Sequence, residues 1–211
     1  MYKHFFKRSL DFISSILIFV LISPIFLITA IVLSIYYRGN PFFTQNRPGL
    51  KAKVFRLLKF KSMVDKCDHH GELLPDAQRI TAVGKFIRKT SLDEMPQLIN
   101  VMVGDMSFIG PRPLLVEYLQ YYTEREKLRH NVRPGISGLA QVSGRNNIDL
   151  PQRLELDVQY VENLSFLNDF KIALKTIQNV VSGKDITIIT SDKRLKDYRP
   201  ENPHLKRNAE V

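Results

Sequence analysis

Hydrophobic and polar positions divide this 211-residue chain into stretches of different kinds. From Phe12 to Tyr37 the run FISSILIFVLISPIFLITAIVLSIYY holds 26 residues without an Asp, Glu, Lys, Arg or His. As one helix it reaches about 39 Å, more than the roughly 30 Å of bilayer hydrocarbon. Ser23-Pro24 lies in its middle. Proline removes a backbone donor and collides with the preceding turn, so a bend or break is predicted there. Lys3, Lys7 and Arg8 precede the run, and Arg38, Arg47, Lys51, Lys53 and Arg56 follow it. Positive charge marks the cytoplasmic side of a membrane, and here it flanks both ends. Two arrangements stay open from this stretch. One is a proline-kinked single span; the other is a re-entrant helix-break-helix whose halves, roughly 18 Å each, enter and leave by one face. A secretory signal fits less well, because its apolar region is usually about 7–15 residues and ends at a small-residue cleavage site.

Beyond the apolar run the patterning alternates. Residues 41–61, PFFTQNRPGLKAKVFRLLKFK, predict two short strands around an Arg47-Pro48-Gly49 turn, with Phe55, Leu57, Lys59 and Lys61 on one face. Lys59 reads there either as a solvated strand end or as a phosphate contact. Residues 62–81 are polar and loop-like. Their Cys67-Asp68-His69-His70 lacks the spaced second ligand pair of a zinc site. A helical period begins at Thr81 with Val83, Phe86 and Ile87. It resumes after Ser91 with Met95, Leu98, Ile99 and Met102, and Gly104 ends it. Residues 114–130 predict one amphipathic helix, with Leu114, Leu115, Tyr118, Leu119 and Tyr122 facing a core or a membrane interface. Residues 183–211 lose the period and read as a peripheral tail.

Charge narrows the choice of partner. Thirty-one Lys and Arg against 21 Asp and Glu give a net charge of +10, which calls for an anion: lipid headgroups, nucleotide phosphates or nucleic acid. The apolar run makes nucleic acid the weakest of these. The single Cys67 excludes an internal disulfide and fits a reducing compartment.

The chemistry is expected in Arg88-Lys89-Thr90-Ser91-Leu92-Asp93-Glu94-Met95-Pro96. Ser91-x-x-Glu94 matches a capping box, which puts both carboxylates in the first turn of the second helix, where the dipole favours anions. Helix neighbours diverge by about 100°, so the two cannot converge on one atom as a glycosidase pair does. One can attack while the other anchors or binds metal. Downstream, Pro111 and Pro113 hold Arg112 in an extended backbone, where it reads either as a fork for a phosphate or as a solvated arginine in a turn. Arg133 and Arg145 bracket a stretch containing Gly135, Gly138 and Gly144, where backbone amides can approach an anion. It matches neither a Walker motif nor GxGxxG.

These segments resemble one family. KRSLD at 7–11, Ser23-Pro24, FTQ at 43–45, KFKSM at 59–63 and SLDEMPQL at 91–98 carry the likeness. It continues in GDMSFIGPRP at 104–113, RPGISG at 133–138 and GRN at 144–146. The chain resembles the bacterial sugar transferases, the monotopic phosphoglycosyl transferases, and among them the short members that begin N-linked glycan assembly. The resemblance covers about 180 residues and implies an α+β, predominantly helical fold. It comprises a re-entrant membrane hairpin (1–38), a small cytosolic catalytic domain with a β-hairpin and amphipathic interfacial helices (39–182), and the tail (183–211). It implies transfer of a sugar 1-phosphate from a UDP-sugar, such as UDP-diacetylbacillosamine, to undecaprenyl phosphate with release of UMP. Asp93 would be the nucleophile of an aspartyl phosphosugar intermediate, with Glu94 completing the dyad. Arg88, Arg112, Arg145 and Lys59 would meet phosphates, and Asp93 and Asp157 would touch Mg2+. Ser23 and Pro24 would break the membrane helix, leaving the enzyme on the cytoplasmic face of a bacterial inner membrane.

Overall fold

The computed structural model describes residues 2, 6–144, 148–182 and 195–198. Contacts group the chain into two compact units, one of Ser9–Gln45 and Arg56–Gly104, the other of Met1–Arg8, Asn46–Phe55 and Asp105–Val211.

The first unit is organised by the apolar run. Helix α1 spans Lys7–Tyr37 with Pro24 inside it. Where the sequence predicts an interruption, the helix continues, and a hydroxyl explains how. Pro24 has no N–H for the carbonyl four residues back, that of Val20. The Ser23 hydroxyl donates to this same Val20 oxygen at 2.8 Å. The orphaned acceptor is thus satisfied inside the helix, as an apolar surrounding requires. The helix is long and apolar enough to cross a membrane, and Leu17, Leu21, Ile28 and Ile35 are all exposed. One stripe is not: Phe26, Leu33, Phe60 and Ile87 form a buried cluster, with Phe42, Val83, Leu92 and Met95 packed against it. Part of the apolar run is therefore protein core.

Strands β1 (Phe42–Pro48) and β2 (Val54–Phe60) make a two-stranded sheet joined through a 3-10 turn at Leu50–Ala52, as the Arg47-Pro48-Gly49 signal predicts. Burial alternates through Phe55 and Leu57, then shifts so that Phe60 is buried. Phe60 packs on Phe26 and Phe42, with ring centroids 5.0 and 5.3 Å away. The polar stretch that follows holds the short helix α2, Asp76–Arg79, and two isolated antiparallel bridges, Met63 with Ile80 and Cys67 with Leu73. Helix α3 (Ala82–Lys89) starts as predicted, with the Thr81 side chain accepting from the Gly84 amide at 2.9 Å. Tyr37 closes α1 onto the same hydroxyl at 3.0 Å. Helix α4 (Gln97–Val103) ends where Gly104 turns left-handed at φ 94°.

The second unit carries strands β3 (Ser107–Ile109) and β4 (Gly135–Ser137), paired in parallel. Its helices are α5 (Glu124–Lys127), α6 (Leu139–Ser143), α7 (Leu150–Glu162), α8 (Phe166–Ser182) and α9 (Leu195–Tyr198). The glycines of residues 133–138 have a packing role: a Cβ on Gly135 or Gly138 would come within 2.1 Å of Gly110 backbone. The Gly135 amide donates to the Pro111 carbonyl, so the expected anion cradle is closed there by backbone pairing. The single helix predicted over 114–130 is instead a 3-10 segment Val116–Tyr121, then α5, then a 3-10 turn Leu128–Asn131. Thr123 and Glu126 form a capping box that restarts the chain at α5. The core residues of that stretch hold nonetheless: Tyr118, Tyr121, Tyr122 and Leu154 cluster with Leu114, Leu115 and Leu119. Leu195 joins them fully buried, although the sequence gives its surroundings no part in the core. Apart from α9, the expected tail lies outside the described residues.

Candidate active site

Asp93 and Glu94 stand on a three-residue 3-10 turn, Leu92–Glu94, rather than in the first turn of α4. The local chemistry accounts for this. Pro96 occupies the N-cap place of α4 and, lacking an N–H, fits the beginning of a helix and not its interior. Ser91 turns left-handed (φ 56°, ψ 16°) to separate the turn from α3, and its side chain makes no cap, so the predicted capping box is not formed. On either side of the carboxylates, Leu92 and Met95 pack into the Phe26–Leu33–Phe60–Ile87 cluster. The turn is thereby pinned to α1 and β2 by apolar contacts.

Between the two carboxylates sits Lys59. Its ammonium donates to Glu94 Oε1 at 3.0 Å and lies 3.8 Å from Asp93 Oδ2. Asp93 is buried at 8% exposure, while the Glu94 and Lys59 side chains keep about a fifth of their surface. The predicted divergence of the neighbouring carboxylates is thus bridged by one cation that neutralises part of both charges. What aims Lys59 is Asn100, a residue the sequence reading passes over as one of α4's turns. Its Oδ1 accepts the Leu58 amide at 2.9 Å and its Nδ2 donates to the Arg56 carbonyl at 2.8 Å. Both groups of one side-chain amide are spent on β2, fixing the register of Lys59 against the turn. A buried asparagine among Leu98, Ile99 and Val101 is the signal that could have found it.

Arg88, in the last turn of α3, donates through Nε to the Ser62 hydroxyl at 2.9 Å. That contact depends on a close approach. A Cβ on Gly84 would come within 1.8 Å of the Ser62 carbonyl oxygen, so only glycine lets α3 lie this near. One edge of the guanidinium is oriented by protein, which suits the rest of the fork to an external anion.

The remaining predicted residues belong to the other unit or lie beyond description. Arg145 lies outside the described residues. Arg112 is exposed between Pro111 and Pro113, its carbonyl accepting from Arg129 Nη2 at 2.6 Å. Burial, helped by the charge of Arg112, lowers the pKa of Arg47 to about 10. Asp157 is fully enclosed on α7. Its Oδ2 accepts from Arg129 at 2.7 and 3.1 Å, and burial pushes its carboxyl up against the pull of that guanidinium. Arg129 also donates to the Tyr122 hydroxyl at 3.0 Å. His130 beside it donates through Nδ1 to the Gly49 carbonyl, 3.3 Å away, and burial lowers its pKa to about 4.

No three His, Cys, Asp or Glu side chains gather into a metal cage among the described residues. Magnesium needs no such cage: it commonly takes one or two carboxylates and completes its shell with substrate phosphates and water. Asp93 and Glu94 fit that pattern.

Residues 2–183 match the family model for bacterial sugar transferases. The chain is 47% identical over 180 residues to the uncharacterized sugar transferase EpsL of Bacillus subtilis, a match covering 85% of this chain and 89% of that protein. It is 40% identical over 201 residues to the undecaprenyl-phosphate galactose phosphotransferase of Salmonella typhimurium, covering 85% of this chain and 41% of the relative. With the UDP-glucose:undecaprenyl-phosphate glucose-1-phosphate transferase of Caulobacter vibrioides it shares 36% identity over 188 residues, 83% of this chain and 70% of the relative. The chain therefore spans most of EpsL but less than half of the Salmonella protein.

Proposed function

Because this chain belongs to the bacterial sugar transferase family, we propose that it moves a sugar 1-phosphate from a UDP-sugar to undecaprenyl phosphate at a membrane surface, releasing UMP. The observation that carries the reading is the Asp93–Glu94 pair held by Lys59 on a turn packed against the apolar helix α1. A soluble donor and a lipid acceptor have to meet at such a place. Relatives named for undecaprenyl-phosphate transfer of galactose and of glucose 1-phosphate support the reaction class.

In this mechanism an Asp93 carboxylate oxygen attacks the sugar-bearing phosphorus. A phosphorus–oxygen bond to Asp93 forms, the bond to the UMP oxygen breaks, and UMP leaves with the electron pair. An oxygen of the lipid phosphate then attacks the same phosphorus and displaces Asp93. Lys59 partly neutralises the dyad, so the dianionic diphosphate meets less repulsion as it approaches. Arg88, oriented by Ser62, binds phosphate oxygens. Arg112 and Arg145 are assigned to phosphate on the resemblance alone. Asp93 and Glu94 would hold Mg2+, which when bound spreads the negative charge of the diphosphate. Asp157 joins that set only by resemblance, since one of its oxygens is committed to Arg129.

For the donor we propose an N-acetylated amino sugar such as UDP-diacetylbacillosamine, on the likeness to the short members that begin N-linked glycans. For α1 we propose a re-entrant, monotopic course on the cytoplasmic face of the bacterial inner membrane. Basic residues on both flanks favour it, and so does the Ser23-Pro24 step, whose hydrogen bond lets the helix bend without exposing a carbonyl to lipid.

The test offers the purified protein a panel of UDP-sugars with magnesium and undecaprenyl phosphate, and identifies the released nucleotide. UMP from wild type, reduced by about 10³-fold or more in Asp93→Asn, is the expected result. Release of UDP, or full activity in Asp93→Asn, sinks the mechanism.

A further inference from the structure

Arg112 stands on a segment whose backbone has little to donate. Pro111 and Pro113 carry no N–H, so the segment is held through its carbonyls. The Pro111 oxygen accepts the Gly135 amide at 3.0 Å. The Arg112 oxygen accepts from Arg129 Nη2 at 2.6 Å, while Arg112 itself is exposed. Both anchors lie in the second unit.

The second anchor is a buried charge with a fixed direction. Arg129 sits on the 3-10 turn Leu128–Asn131. Its Nε and Nη2 both donate to Asp157 Oδ2, at 3.1 and 2.7 Å, and its Nη1 donates to the Tyr122 hydroxyl at 3.0 Å. A planar guanidinium held at three corners cannot swing, so the carbonyl it meets is fixed as well. Asp157 supplies the opposite charge without which a buried arginine is not tolerated.

The same geometry argues against Asp157 as a direct ligand of magnesium. The residue is 3% exposed. Its Oδ2 faces a guanidinium, which repels a second cation. Its Oδ1 is buried with no hydrogen-bond partner among the described residues. Magnesium usually keeps several waters and takes substrate phosphates, and an enclosed oxygen beside an arginine leaves room for neither.

We propose that Asp157 and Arg129 are positioning residues: the pair sets the backbone at Arg112 and so aims the Arg112 guanidinium at a phosphate of the nucleotide donor. This deepens the proposed transfer and rests on it. Asp157 then serves the reaction at two removes, from carboxylate to guanidinium to backbone carbonyl, and touches neither metal nor substrate.

The test measures donor KM, the magnesium requirement at saturating donor, and the Kd of UDP without magnesium. It compares full-length wild type, Asp157→Asn, Arg112→Gln and the double variant. Asp157→Asn keeps the shape of the carboxylate and removes its charge. Expected in each single variant is a rise of about 10-fold in donor KM and in the Kd of UDP. The double variant stays within about 2-fold of Arg112→Gln, because both substitutions act through one group. The magnesium requirement of Asp157→Asn equals that of wild type. A raised magnesium requirement with the metal-free Kd of UDP unchanged makes Asp157 a metal ligand and overturns the inference. Effects that multiply in the double variant overturn it too, as does a lowered unfolding midpoint with KM unchanged, the signature of a purely structural pair. Should Asp157→Asn not fold, Tyr122→Phe replaces it under the same criteria, since it removes one of the bonds that orient Arg129. In all these cases a wild type that releases UMP leaves the proposed transfer standing. If wild type neither binds UDP nor releases UMP from any donor, the transfer falls and the inference with it.

Discussion

Asp157 and Asp93 are both carboxylates beside a long cationic side chain, but their surroundings differ. Asp157 meets Arg129 through two hydrogen bonds to one oxygen, with both side chains at 2–4% exposure and Tyr122 closing over the guanidinium. Asp93 meets Lys59 at 3.8 Å, and that ammonium is shared with Glu94 and keeps 21% of its surface open. The first arrangement is closed and directional; the second is loose, and its cation can be recruited by a ligand. A buried pair is retained at the cost of its desolvation and fails badly when one partner is lost. A partly open pair contributes little to stability, which leaves its charges available for chemistry.

Substitutions can break this contrast. The largest stability effect is expected at Arg129→Met, which strands the Asp157 carboxylate and should cost about 3–5 kcal/mol. Chemical denaturation in detergent would read it, and adding Asp157→Leu should recover part of the loss because no charge is then left buried. If Arg129→Met unfolds no more easily than wild type, the closed pair has been misread. Next comes Lys59→Met. Transfer should fall by about 10²-fold, with a stability change under about 1 kcal/mol. A large loss of stability with little loss of rate would reverse the roles drawn for the two sites. The smallest effect concerns His130, next to Arg129. Its folded-state pKa, near 4, lies below the ordinary 6.5 because burial and Arg129 oppose its charged form. The unfolded chain therefore binds more protons between these values, and the contribution is complete above pH 6.5 and lost as pH falls toward 4. Unfolding midpoints across that window should drop more steeply in wild type than in His130→Gln.

How much of this was legible in the sequence follows from the range of each interaction. The helix start at Thr81, Gly104 as a stop and the hairpin around Arg47-Pro48-Gly49 are local devices, and the structure has all three. The inward-facing residues from Leu114 to Tyr122 were legible from apolar spacing even though the helix they implied is broken into shorter turns. The Ser91–Glu94 capping box was a local signal that failed, because Pro96 sets the start of α4 one turn later. Lys59 was legible as a candidate but not as the partner of the dyad, since that pairing joins residues 35 apart. Asn100 reaching back 42 and 44 positions to β2, and Arg129 meeting Asp157 across 28, are equally products of packing that no periodicity announces.

The burial of Phe26 and Leu33 in one cluster with Leu92 and Met95, which flank the Asp93–Glu94 turn, means that helix α1 cannot be treated as a detachable part. Trimming residues 1–38 to obtain a detergent-free protein would lay bare Phe60, Ile87, Leu92 and Met95 together, and the remnant would aggregate. Grafting on an unrelated apolar helix would restore the hydropathy of the segment and still leave Asp93 on a loose turn. Any replacement for α1 in this chain has to carry those two side chains with it.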